Sequence, residues 1–130
     1  MTQKELSQLN CLRQEILEIQ GRIRVLEALA TKCTAQISDM PRPQAISDKI
    51  GKYTVQIADL KAELEIKAYR CYREFLKLNR YIEGVEDRQM RTILALRYIQ
   101  GLTWQQVAYK IGKNDEQYPR KKHNAFLGKN

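Results

Sequence analysis

The chain has little of what metal centres, disulfide scaffolds and membrane proteins are built from. It contains one histidine and three cysteines in 130 residues. His123 alone cannot supply the imidazole and thiolate cluster of a zinc site, and Cys11, Cys33 and Cys71 show neither an even count nor CxxC spacing. No metal, cofactor or disulfide framework is expected. A catalytic role for His123 would need a nucleophile or carboxylate partner, and none is indicated nearby in sequence, so no enzyme activity is expected either. Long apolar runs are also missing: no window approaches the roughly 18 residues of a membrane span, and the N-terminus has no compact apolar signal segment. A cytoplasmic protein is the natural reading. Proline is scarce, with two of the three residues in the run Met40-Pro41-Arg42-Pro43 and the third at Pro119.

What the chain does have is basic charge and helical periodicity. Lysine and arginine number 23 against 15 acidic residues, a net charge of +8 that suits an anionic partner such as nucleic acid. Apolar residues recur at Leu9, Leu12, Ile16, Ile19, Ile23, Leu26, Ala30, Cys33 and Ile37. They recur again at Ile46, Ile50, Tyr53, Ile57, Leu60, Leu64, Ala68, Cys71, Phe75, Leu78 and Ile82. Alternating steps of three and four residues are the seam of a coiled coil. Two four-residue steps in a row at Leu60, Leu64 and Ala68 shift the supercoil locally. The break over residues 38–45 is short, so the expected arrangement is an antiparallel helical hairpin over 1–83, with helices over about 3–38 and 46–83. Each arm is roughly 54 Å long at 1.5 Å per residue. Leu6, Leu17, Val25, Leu29 and Val55 lie off the seam and call for a second copy or the C-terminal domain to cover them.

From residue 84 to 130 the punctuation changes. Gly84, Gly101 and Gly112 divide the chain into short units that carry nine basic and four acidic residues. Glu86-Asp87 starts a helix of about 14 residues whose buried face includes Met90, Ile93, Leu94 and Leu96 and which ends at Gly101, a C′ position. Thr103 is an N-cap for a second, shorter helix with Trp104, Val107, Ala108 and Ile111 on its apolar face. Trp104, one residue after that cap, reads as core. A basic stretch over 116–127 follows. Pro119 lacks an N–H donor and suits the first helical position, which sets a start for regular helix at Pro119 and leaves about two and a half turns.

Two short helices joined by a glycine turn and bearing a basic face give the minimum helix-turn-helix pattern. The 28 residues from Val85 to Gly112, with their acidic start, Leu96-Arg97-Tyr98, the turn Gly101-Leu102-Thr103 and a helix closing in Ile111-Gly112, closely resemble region 4 of the sigma-70 family. With the hairpin in front, the whole chain looks like small region-4-like regulators of phages and prophages, of the ArpU and RinA type. The resemblance implies an all-α fold, binding of double-stranded promoter DNA in a bacterial host, association with the nucleoid, and possible contact with RNA polymerase. It also implies that the last helix reads bases. Gln117, Arg120, Lys121 and Asn124 are then the candidate readers, since arginine and lysine pair with guanine edges and glutamine and asparagine with adenine. Lys110, Lys113 and Lys122 are candidate phosphate contacts. His123, which follows a basic pair and precedes Phe126-Leu127, is a candidate phosphate contact or helix cap. The coiled coil implies a homo-oligomer. A rival reading makes the chain an interaction module that binds RNA polymerase or another protein without specific DNA recognition.

On the hairpin, basic and acidic residues alternate, the pattern of a solvated coiled-coil flank. Arg70, Arg73, Lys77 and Arg80 are the exception: they repeat at helical spacing, a pattern that would extend a DNA-binding face.

Overall fold

The computed structural model describes residues 1–36 and 43–128. Every regular element among them is helical: α1 (Gln3–Leu6), α2 (Gln8–Gln36), α3 (Pro43–Glu83), α4 (Arg88–Leu94) continuing into a π-helical turn (Ala95–Ile99), α5 (Trp104–Lys110) and α6 (Gln117–Gly128). The expected all-α class holds. The expected break at Met40-Pro41-Arg42, the seam position Ile37 and the basic residue Lys129 lie outside the described residues.

Helix boundaries follow local chemistry. α1 and α2 are separated only by Ser7, whose backbone stays right-handed helical while its hydroxyl donates to the Gln3 carbonyl at 2.9 Å. The i→i−4 ladder continues across it, from Ser7 N to Gln3 O and from Cys11 N to Ser7 O. α3 starts at Pro43, three residues earlier than the periodicity suggests, because proline is well tolerated at a first helical position.

The described helices fall into two compact units. One is Gln14–Tyr69, with segments of α2 and α3. Ile19 and Ile23 are buried there, while Ile16, Leu26, Ile57, Leu60 and Leu64 are half-buried and Ala68, at the double four-residue step, is exposed. Lys67 Nζ lies 2.6 Å from Glu15 Oε2 and Lys61 Nζ 3.8 Å from Glu27 Oε1, so partner numbers fall along α3 as they rise along α2. Surface pairs of this kind contribute at most about 1 kcal/mol each. Two helices enclose little volume, and Leu17, Val25, Val55 and Ile66 are accordingly more than half exposed.

The other unit joins Met1–Arg13 to Arg70–Asn130. Leu6, Leu9, Leu78 and Ile82 are buried in one cluster with Val85, Met90, Ile93, Leu94, Leu96, Tyr98, Trp104 and Val107. Arg13 ties the two stretches together by donating to the Ile99 carbonyl, at the end of the π-helical turn. The compact grouping therefore differs from a division between 83 and 84, since the first helices and the end of α3 supply part of the C-terminal core.

Caps set the ends of the shorter helices. Asp87 Oδ1 accepts from the amides of Gln89 and Met90 at the start of α4, and Thr103 and Gln106 form a reciprocal capping box at the start of α5. Gly112, at φ 81°, closes α5 with the Lys113 N to Ala108 O and Gly112 N to Tyr109 O bonds of a Schellman turn. Gly101, at φ 73°, ends the π-helical turn with a left-handed backbone too, and there the bonds run from Gln100 N to Ala95 O and from Leu102 N to Leu96 O. A left-handed backbone at both positions explains the glycines.

Candidate nucleic-acid interface

α6 begins at Gln117, two residues before Pro119, so the later start expected from proline is corrected. A proline within the first turn gives up no intrahelical bond, because the first N–H groups of a helix have no partner in it. Asp115 Oδ1 accepts from the Gln117 amide at 2.9 Å instead. The helix has 12 residues, and its inner face is formed by buried Pro119 and His123 with half-buried Phe126 and Leu127, at i, i+4, i+7 and i+8.

His123 anchors this face. It is 1% exposed, its Nε2 accepts from the Tyr98 hydroxyl at 2.5 Å, and its ring meets Trp104 edge-on with centroids 4.8 Å apart. Nδ1 then carries the proton and donates to Asn124 Oδ1 at 3.0 Å. Burial holds the imidazole pKa below its ordinary value, with Arg97 adding to the effect and the Asn124 bond opposing it. The same burial raises the Tyr98 phenol. Arg97 stacks over Trp104 at 4.7 Å and donates to the Leu102 carbonyl at 2.9 Å. His123 is thus a neutral core residue, and its expected place at a phosphate is corrected: no part of it faces solvent.

Lys122 is also turned to internal use. Its Nζ lies 2.5 Å from Gln89 Oε1 and 3.1 Å from Asp87 Oδ2, and the Tyr118 hydroxyl donates to the same Gln89 oxygen at 3.0 Å. The hydrogen bond from Lys122, with the two amides, holds the Asp87 carboxyl below the usual carboxylate range. The start of α4 and the first half of α6 are clamped together by these four side chains. Asn124 is exposed, but its Oδ1 is engaged by His123.

The remaining candidates stay outward. Lys121 is exposed, and Arg120 and Gln117 are half-buried on the flanks of α6. Lys110 and Lys113 are exposed and come together in a groove of about 370 Å³ lined also by Gln105, Gln106, Tyr109 and Asn114. Lys113 Nζ sits 4.7 Å from the centre of the Tyr118 ring. Tyr109 is 81% exposed. An aromatic left so open beside glutamines and lysines was legible only as a residue off the apolar face of α5.

A family model described as "Protein of unknown function (DUF1492)" matches residues 45–130. The chain belongs to that family. The DUF1492 match takes in nearly all of α3 and everything after it, including the clamp and the His123 anchor; α1 and α2 lie before it. No curated protein matches the chain, and no solved structure does. No helix among the described residues is long and apolar enough to cross a membrane.

Two features of the DUF1492 region were not evident from periodicity. Gln89 and Tyr118 are far apart in sequence and neither is apolar enough to mark a contact. The Tyr98–His123–Trp104 cluster joins a residue that reads as core, Trp104, to one that reads as a phosphate contact or helix cap, His123, and to Tyr98, which no apolar spacing marks.

Proposed function

We propose that this DUF1492 protein is a sequence-specific DNA-binding transcription regulator of phage or prophage type. In this reading α5 and α6 form a helix-turn-helix like that of sigma region 4, and α6 enters the major groove of promoter DNA. The observation that carries it is the division of α6 into two faces: Pro119 and His123 fix one to the core, and Lys121 with flanking Arg120 and Gln117 occupies the other. Rigid attachment supports base reading, because side chains on a fixed helix lose less entropy on binding than those on a loop. Lys110 and Lys113 on the neighbouring groove then serve phosphates. α2 and α3 form an antiparallel coiled-coil hairpin for self-association or polymerase contact, and a dimer doubles weak half-site binding through effective concentration.

One observation favours the second reading, a module that binds RNA polymerase or another protein without reading DNA. Lys122 and Asn124, two of the expected DNA contacts, are held in internal bonds. Selection of bound sites from a random duplex library separates the two. DNA recognition requires a preference of about 10³ or more for the selected duplex over a scrambled one, with that preference reduced in Arg120→Ala and Lys121→Ala. Equal, weak binding to both duplexes, unchanged in these variants, would instead assign the chain to protein binding.

A further inference from the structure

The charge on α6 is modest once its internal bonds are counted, yet duplex binding draws most of its free energy from phosphates. A second surface of the same unit is more densely basic. Arg70, Arg73, Lys77 and Arg80 of α3 line a groove of about 880 Å³, together with Gln8 and Leu12 of α2 and with Glu74, Leu76 and Tyr81. All four cations are exposed, and Glu74 is the one acid lining the groove. None of these residues belongs to α5, α6 or the turn between them.

We propose that this groove is a second nucleic-acid site, which takes the sugar-phosphate backbone of double-stranded DNA and contributes affinity without reading sequence. The proposal rests on the DNA reading of the chain but not on which residues of α6 read bases. Its geometry matches the ligand. From Arg70 to Arg80 is ten residues, about 15 Å of helix at 1.5 Å per residue. A strand running along the groove presents roughly two to three phosphates over that length, each within reach of one or two of the four cations. Three of the four cations are arginine, whose planar fork donates to two phosphate oxygens at once. Leu12, Leu76 and Tyr81 give an apolar floor on which the deoxyribose face of the backbone can rest. An acidic protein segment is the alternative occupant, and the test separates the two.

The test is fluorescence titration of the full chain with a 20-base-pair duplex over a range of salt, comparing wild type with Arg70→Ala/Lys77→Ala/Arg80→Ala. Arg73 is left in place. The expected result is a fall of about two in the magnitude of the log–log salt slope, since each lost phosphate contact removes roughly 0.9. The ratio of affinities for selected and scrambled duplexes should not change, whereas Arg120→Ala/Lys121→Ala should change that ratio. If neither protein prefers a sequence but the triple variant still loses slope, the base-reading role of α6 fails and the groove stands. An unchanged slope in a triple variant with wild-type helicity and melting temperature overturns the proposal. So does an unchanged slope accompanied by lost binding to polyglutamate, which would give the groove to an acidic protein. Arg70→Lys/Arg80→Lys provides a folding control that keeps the charge and should retain most of the slope.

Discussion

Replacing His123 tests the anchoring of α6 most directly. The ring accepts one hydrogen bond from Tyr98 at 2.5 Å and packs edge-on against Trp104 at 4.8 Å. In His123→Leu the volume is largely kept but the Tyr98 hydroxyl, buried with its residue at 3% exposure, loses its acceptor. An orphaned buried hydroxyl costs about 1–3 kcal/mol, and loss of the aromatic pair adds about 0.5–1.5 kcal/mol. Destabilisation of about 2–4 kcal/mol is therefore expected in urea unfolding at neutral pH. Adding Tyr98→Phe should recover part of that loss, because it removes the stranded group; on its own Tyr98→Phe should cost about 1 kcal/mol. Acid provides a second readout. With the folded pKa of His123 pushed below its ordinary 6.5 by burial, the unfolded chain takes up the proton first as pH falls. This contribution to stability is present above about pH 6.5 and is lost as pH falls below it, so on acidification from about pH 6.5 wild type should weaken more than His123→Leu does. The reasoning fails if His123→Leu unfolds within about 0.5 kcal/mol of wild type, or if both proteins show the same slope against pH.

Three further outcomes are expected. A fragment of residues 84–130 should give the circular dichroism of an unfolded chain: it lacks Leu6, Leu9, Leu78 and Ile82, and at about 1.5–3 kcal/mol for each buried side chain the loss is comparable with the whole stability of a domain. Gly101→Ala should lower stability by about 1–2 kcal/mol through its left-handed backbone alone, and somewhat more because the added Cβ would sit 3.3 Å from Asn10 Oδ1; thermal melting measures it. If α2 mediates self-association through its exposed apolar residues, Val25→Glu, at a position 59% exposed, should shift sedimentation equilibrium toward monomer by tenfold or more while leaving helicity unchanged.

The helical class and the caps of the C-terminal segment could be read from the chain because each is a local matter. Thr103, Gly101 and Gly112 act within a few residues of themselves, and the structure places them at the N-cap and the two left-handed turns expected. Pro119 misled because its position relative to the helix start depends on Asp115, whose carboxylate caps Gln117 and moves the first turn forward. His123 misled for a different reason. In sequence it follows Arg120, Lys121 and Lys122 and shares their polarity, but one turn of helix separates it from buried Pro119, and only Tyr98 and Trp104, distant along the chain, make a buried imidazole affordable. The π-helical turn over Ala95–Ile99 likewise contains no proline or glycine to mark it. The grouping of Leu9 with the C-terminal core was open in the sequence, since its heptad spacing fits a hairpin seam equally well, whereas Leu6, off the seam, already called for a second copy or the C-terminal domain.

The joining of Met1–Arg13 to Arg70–Asn130 in one compact unit has a consequence for the order of events during synthesis. Residues made early find their partners in residues made much later: Arg13 waits for Ile99, and Leu6 and Leu9 share their cluster with Val107. Chain growth at about 5–20 residues per second leaves the early helix without its core for several seconds, during which only pairing within Gln14–Tyr69 is available to it. Closing the unit then brings together segments separated by more than fifty residues, an entropic cost that grows only logarithmically with loop length and is smaller still if the intervening helices are already formed. Any helix formed early within Gln14–Tyr69 therefore shortens the flexible length over which the two ends of the unit must find each other.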